Sequence, residues 1–159
     1  MTLPTKYSHA LPDIRSLIPH SDPMVLLDRV LTIEAESLCA EVVITPASRF
    51  YADGAVAAWI GIEYMAQAIA AFAGVEALQS GNDVKLGFLL GTRRYDSQCA
   101  SFACGSILHI FVHRVLQHQN GLGAFECRII DAGTAAELVT ATVTVFQPDD
   151  AQEFLKTNQ

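Results

Sequence analysis

Basic residues are scarce in this chain. Ten lysines and arginines stand against 17 aspartates and glutamates, a net charge of −7, which argues against general affinity for nucleic acid or acidic lipid. Arg93-Arg94, with Lys85, Arg49 and Arg114, are the candidates for a local basic patch. Cysteine is thin as well. Cys39, Cys99, Cys104 and Cys127 form no CxxC pair and no His/Cys ligand spacing, so neither a zinc site nor a disulfide framework is indicated. Cys39 and Cys127 fall inside strand-like runs and read as small buried hydrophobes. A secretory signal, a serine nucleophile elbow, an HExxH pair and a carboxylate–histidine metal cluster are all missing. Gly121-Leu122-Gly123 lacks the rest of a phosphate-binding fingerprint and reads as a hairpin turn. No metal and no cofactor is implied, and the expected setting is the reducing cytoplasm.

About half of the 159 residues are apolar, enough for a substantial core in one domain spanning 1–159, with loose termini at 1–10 and 148–159. The dominant feature is Ala55 to Gln79, AVAAWIGIEYMAQAIAAFAGVEALQ. Nine of its 25 residues are alanine, no proline interrupts it, and Glu63 and Glu76 are its only charges. Strong helix formers predict a helix over the whole run. Its apolar residues go round every side, the pattern of a helix enclosed by its own protein. Glu63, Gln67 and polar flanks argue against a membrane span. Glu63 is the anomaly, because a buried carboxylate costs several kcal/mol unless it is bonded or protonated.

The rest of the chain is strand-rich. Leu11 to Ile18 predicts a short two-turn helix ended by Pro19, and Met24 onwards is extended after a rigid turn. Cys39 to Thr45 predicts a strand. Arg49 to Gly54 predicts a loop whose Asp-Gly turn immediately precedes the helix. Leu86 to Leu90 is a strand candidate, and Ile107 to Leu116 alternates, with Leu108, Ile110 and Val112 opposing His109, Phe111 and His113. Gly121 to Ile130 repeats that theme, and Val139 to Val145 alternates valine and alanine with threonine. Consecutive strands with short connections predict an antiparallel sheet, and a sheet curled around the long helix is the simplest way to bury it. The fold class is α+β.

Two segments carry a family resemblance. IPHSDPMVLLDRV (Ile18 to Val30) resembles the PHRxPxLLxDRV element, and IEYMAQAIAAF (Ile62 to Phe72) the LEAMAQ helix start, of the hotdog-fold 3-hydroxyacyl-acyl-carrier-protein dehydratases of bacterial fatty-acid synthesis. Weaker likeness runs on through Gly91 to Tyr95 and the late strands. The resemblance implies a hotdog domain, a curved antiparallel sheet round a central helix, usually dimeric, with acyl tunnels at the subunit interface. It implies removal of water from a 3-hydroxyacyl chain presented by acyl carrier protein. Glu63 matches the family's helix carboxylate, which assists departure of the hydroxyl while a histidine removes the proton beside the thioester carbonyl. An apolar helix is expected to raise the pKa of such a carboxylate.

The likeness breaks just before the helix. The family's histidine lies in a GHFPG-type segment, whereas RFYADGAVAAWIG has no histidine, is several residues shorter and carries Ala57-Ala58 in place of PG. Three explanations stand side by side. Asp53 or Tyr51 replaces the base, His109 or His113 reaches in from a strand, or the subunit is catalytically silent and pairs with an active hotdog partner. Asp53 also fits a turn or helix cap. His20 reads as a structural residue bonding the backbone of its proline-rich turn. Tyr51, Trp59, Gln67, Arg93, Arg94 and Tyr95 are the candidates for contact with substrate or carrier, although Trp59 has packing as its plainer reading. The expected function is 3-hydroxyacyl-thioester dehydration in fatty-acid or polyene-type biosynthesis, by a homodimer or heterodimer. A silent partner subunit and an acyl thioesterase are the alternatives.

Overall fold

In the computed structural model the described residues are 11–84 and 87–148. Of the expected loose ends at 1–10 and 148–159 only Pro148 is described, and it is buried; Lys85 and Leu86 also lie outside the described residues. The strands are β1 (Arg29–Ile33), β2 (Ser37–Val43), β3 (Tyr51–Ala52), β4 (Ala55–Ala57), β5 (Phe88–Ser97), β6 (Ser101–Ala103), β7 (Ile107–Gln117), β8 (Leu122–Asp131) and β9 (Glu137–Phe146), with α1 (Gly61–Gln79) between β4 and β5. Six of them form one sheet in the order β1-β2-β7-β8-β9-β5, every neighbouring pair antiparallel.

The alternation read in the sequence decides the sheet's two faces. Leu38, Ala40 and Val42 of β2 lie opposite Val112, Ile110 and Leu108 of β7. With Phe125, Cys127 and Ile129 of β8 and Val139, Ala141 and Val143 of β9, they are all buried in one cluster with α1. The helix contributes Tyr64, Met65, Ala68, Ile69, Ala71, Phe72 and Val75 to that cluster. From Ala58 to Gln79 the chain is long and apolar enough to cross a bilayer, yet 67% of its most apolar window is buried inside the fold. It is a core helix. His109 and His113 point to the other face, where His109 meets Glu41 at 3.3 Å and His113 lies opposite Ser37.

Three sequence expectations need correction. The helix begins at Gly61, because Ala55–Ala57 is drawn into a small second sheet, β3-β4-β6, where it pairs with Ser101–Ala103. Tertiary pairing overrides alanine's helix propensity here. The Asp53-Gly54 turn closes the β3–β4 hairpin rather than capping the helix; both residues have positive φ (54° and 82°), as a two-residue hairpin turn requires. The short N-terminal helix shrinks to a single 3₁₀ turn, Ile14–Ser16, capped by Asp13. The backbone just after it is committed to α1: a Cβ on Gly74 would lie 2.0 Å from the Leu17 carbonyl oxygen. A glycine at that point of the helix lets the N-terminal segment lie directly on it.

Candidate functional site

That close approach places the proline-rich turn over the first half of α1. Gln67, fully buried, fastens it there. Its amide oxygen accepts from the Leu26 backbone N–H at 2.9 Å, and its amide nitrogen donates to the Met24 carbonyl at 2.7 Å and to Glu63 Oε1 at 3.1 Å. One glutamine thereby joins the turn's backbone to the helix carboxylate. Arg15 and Asp22 bridge across the turn's outer side at 2.9 Å.

The consequence is a pair that sequence reasoning did not assemble. His20 Nε2 lies 3.5 Å from Glu63 Oε1, both side chains about 30% exposed (29% and 32%). This is an ion-pair separation, longer than a tight hydrogen bond, and catalytic contacts of this kind commonly shorten around substrate. His20 Nδ1 is buried and has no partner among the described residues. The expected role of His20, bonding the backbone of its own turn, is therefore corrected: its one identified partner is the helix carboxylate. The pKa of Glu63 moves against expectation too. Desolvation is the largest single influence and pushes it up, but hydrogen bonding from His20 and Gln67, with the charge interaction of His20, together outweigh it and hold the carboxyl below its ordinary value. Glu63 is ionised at neutral pH.

His20 and Glu63 stand at one end of a cavity of about 310 Å³ lined along α1 by Ala66, Ala70, Ala73 and Glu76, and from the sheet by Phe125 and Arg114. That volume lies at the lower end of the range for small-molecule sites. A more open groove of about 660 Å³ on the outer face of the sheet holds Arg94, Asp96, His113 and Arg128. It contains neither member of the pair.

The other sequence candidates are scattered. Asp53 is exposed at the hairpin tip. Tyr51 is in β3, opposite Val56. Trp59 is 67% exposed at the helix entrance, and Arg93 and Arg94 are exposed on the edge strand β5. Tyr95 donates to the Ala58 carbonyl, and burial raises its phenol pKa. Its hydroxyl sits where Gly61 has no side chain. None of these lines the cavity that holds Glu63. Gln67 is the exception among the predicted contacts in touching Glu63 directly. Sequence reasoning missed His20 as a partner of Glu63, and the available signal was its own motif, the PHSDP turn, whose histidine has no apolar role to fill.

The comparisons agree with this architecture. The chain matches the ApeP-like family model (ApeP dehydratase) over residues 12–156. No curated protein matches it by sequence. Among solved structures it is similar to the dehydratase heterocomplex ApeI:P from Xenorhabdus doucetiae, with 30% identity, 94% of this chain and 99% of that chain covered, and a TM-score of 0.84. Fold-level likeness extends to zebra fish thioesterase superfamily member 2 (9% identity, 85% and 92% covered, TM-score 0.61). It reaches also to the E. coli PaaI protein of the phenylacetic acid degradation operon (9% identity, 74% and 77% covered, TM-score 0.57). A sheet wrapped round one helix is thus the hotdog fold, and the chain belongs to the ApeP-like dehydratase family.

Proposed function

We propose that this protein removes water from 3-hydroxyacyl thioesters presented by acyl carrier protein, using His20 and Glu63 as its proton-transfer pair. The observation that carries the reading is the 3.5 Å contact between them in the wall of a cavity of about 310 Å³. Elimination needs one group to take the C2 proton and another to give a proton to the C3 hydroxyl. Because the Glu63 carboxyl is held below its ordinary value, the carboxylate is the acceptor and a ring N–H of His20 the donor. The C2–H electrons become the C2=C3 double bond, the C3–O bond breaks, and hydroxide leaves as water with the histidine's proton. Return of the proton from Glu63 to His20 resets the pair. This assignment inverts the roles that the family resemblance implies, and it makes a histidine in the shortened loop before the helix unnecessary.

The carrier, an acidic protein, is drawn to Arg93 and Arg94. A second hotdog subunit packs on β5, the edge strand of the sheet among the described residues, where Leu89 and Leu90 are 42% and 54% exposed, since apolar side chains on an edge strand invite pairing. Leu89 also lines the cavity, so such a partner packs beside it.

The test is turnover of 3-hydroxyacyl carrier protein by the purified protein, with enoyl product followed by mass. Glu63→Gln and His20→Gln each lower kcat by about 100-fold or more, the usual worth of a general acid or base. Retention of wild-type rate by His20→Gln sinks the pair. A second reading, a silent subunit, draws its support from the similarity to a dehydratase heterocomplex; it wins if turnover arises only with a co-purified hotdog partner. Free acid and carrier thiol as products point instead to a thioesterase.

A further inference from the structure

The cavity beside His20 and Glu63 is lined farther along α1 by two charged residues, Glu76 and Arg114. Arg114 reaches in from β7 with its side chain only 14% exposed and bridges Glu36 through Nε at 2.8 Å and Glu76 through Nη1 at 2.6 Å. Its guanidinium lies 5.0 Å from the centre of the Phe72 ring, which in turn meets Phe125 edge-on. Hydrogen bonding to Glu36 and Glu76 raises the pKa of Arg114 despite its burial. Between Glu63 and Glu76, Ala66, Ala70 and Ala73 line the cavity with methyl groups, one or two per helical turn, and Gly121 and Gly123 line it from β8 and the turn before it.

We propose that Arg114 is the ruler of this site: an acyl chain lies along α1 from Glu63 over Ala66, Ala70 and Ala73, and its length is limited by the Glu36–Arg114–Glu76 bridge. This rests on the thioester reading above and adds to it the path and the stop. The two acidic residues of α1 are 13 positions apart in the sequence, a rise of about 20 Å. At roughly 1.3 Å of advance per carbon–carbon bond, from bond lengths of about 1.5 Å, that is room for on the order of fifteen bonds at most. A methyl terminus pressed against the bridge must either stop short of it or desolvate a charged network without bonding to it, which is unfavourable. Extension past the bridge requires Arg114 to leave both carboxylates and the Phe72 ring.

The experiment measures kcat/KM over a series of 3-hydroxyacyl chains from C4 to C18 and expresses each protein as the ratio of long-chain to short-chain values. In parallel, binding of the same series is measured as acyl-pantetheine amides, which undergo no thioester cleavage. Arg114→Met, which removes the bridge and keeps an apolar stem, raises the long-to-short ratio at least tenfold. Glu76→Gln, which loosens the bridge from its helix end, takes its place if that variant does not fold. Ala70→Leu, which fills the middle of the path, lowers the ratio at least tenfold. A ratio within twofold of wild type in either the bridge variant or Ala70→Leu overturns the proposal. If wild type binds the amides with these length preferences but turns over no thioester, the ruler stands and the dehydratase reading falls.

Discussion

Replacing Gln67 by leucine isolates the contribution of the one side chain that ties the histidine-bearing turn to the helix. Leucine is close to glutamine in size, so the change creates no large cavity and acts through hydrogen bonds. Three are lost: to the Leu26 N–H, the Met24 carbonyl and Glu63. A buried donor or acceptor left without a partner costs about 1–3 kcal/mol. Leu26 is half-buried, so its N–H carries most of that cost, whereas Met24 is 36% exposed and water can reach its carbonyl in part. The expected loss is about 2–4 kcal/mol, a large fraction of the 5–15 kcal/mol that holds a typical domain. For a chain of this size it corresponds to a fall in Tm of roughly 5–15 °C. Urea unfolding followed by circular dichroism at one fixed protein concentration measures it, with the m-value checked for constancy. A second readout separates anchoring from generic destabilisation. With Gln67 gone, desolvation of Glu63 is opposed by His20 alone, so the acid limb of the pH–rate profile moves upward. A destabilisation below about 1 kcal/mol with an unmoved acid limb refutes the anchoring role.

Three further outcomes follow from the same geometry. Gly74→Ala puts a methyl group 2.0 Å from the Leu17 carbonyl oxygen, so backbone must shift; a loss of about 1–3 kcal/mol is expected, with a fall in kcat/KM as the His20 turn lifts, and unchanged denaturation curves would contradict the packing described. The Glu63 carboxyl is held below its ordinary value, so its ionised form stabilises the fold above about pH 4.3 and that contribution disappears as pH falls through the lower folded-state value; Glu63→Gln flattens this segment of the stability–pH curve, and a parallel curve for the variant argues the shift is absent. Burial pushes the Cys39 and Cys127 thiols up to about 12, while Cys104 is exposed. At pH 8 a maleimide or disulfide reagent therefore labels Cys104 rapidly and leaves those two until the protein unfolds; rapid native labelling of Cys127 would show that β8 is not packed on the helix as described.

How much was legible before the structure depended on whether the information was local. Strands β7, β8 and β9 announced themselves by alternation, because one face of each meets the helix and the other meets water. The helix was visible from its alanines, but its start was not: Ala57 and Ala58 look equally helical in isolation, and only Ser101–Ala103, more than 40 residues on, takes Ala55–Ala57 into a strand. β5 was seen only as far as Leu90. Its continuation through Gly91-Thr92-Arg93-Arg94 carries two irregularities in its pairing with β9 and a positive φ at Arg94, and such bulges erase a period of two. Glu63 stood out because a charge in an apolar helix is locally anomalous. His20 did not, since a histidine between prolines is unremarkable until Gly74 and Gln67, each more than 40 residues away, bring its turn onto the helix.

The case of Glu63 shows why composition alone points the wrong way for such a group. An apolar helix supplies desolvation, and desolvation by itself favours the neutral acid. The expectation of a raised pKa, and with it a carboxylic acid that gives a proton to the leaving hydroxyl, follows from that influence alone. Two partners reverse the sign. Gln67, one helical turn on, is fixed by the backbone of the Met24–Leu26 segment, so its N–H is already aimed at the carboxylate and loses little freedom in donating. His20, a few residues before that segment, adds a second donor 3.5 Å from the carboxylate. His20 comes from the N-terminal chain and Gln67 is oriented by it, so the protonation state of the helix carboxylate is decided by a segment about 40 residues earlier in the chain, held against the helix by Gln67 and by the close approach at Gly74. Loosening that segment and protonating Glu63 are, on this account, the same event. A variant that detaches the turn without touching either member of the pair must therefore shift the acid limb of the reaction upward as it loses rate.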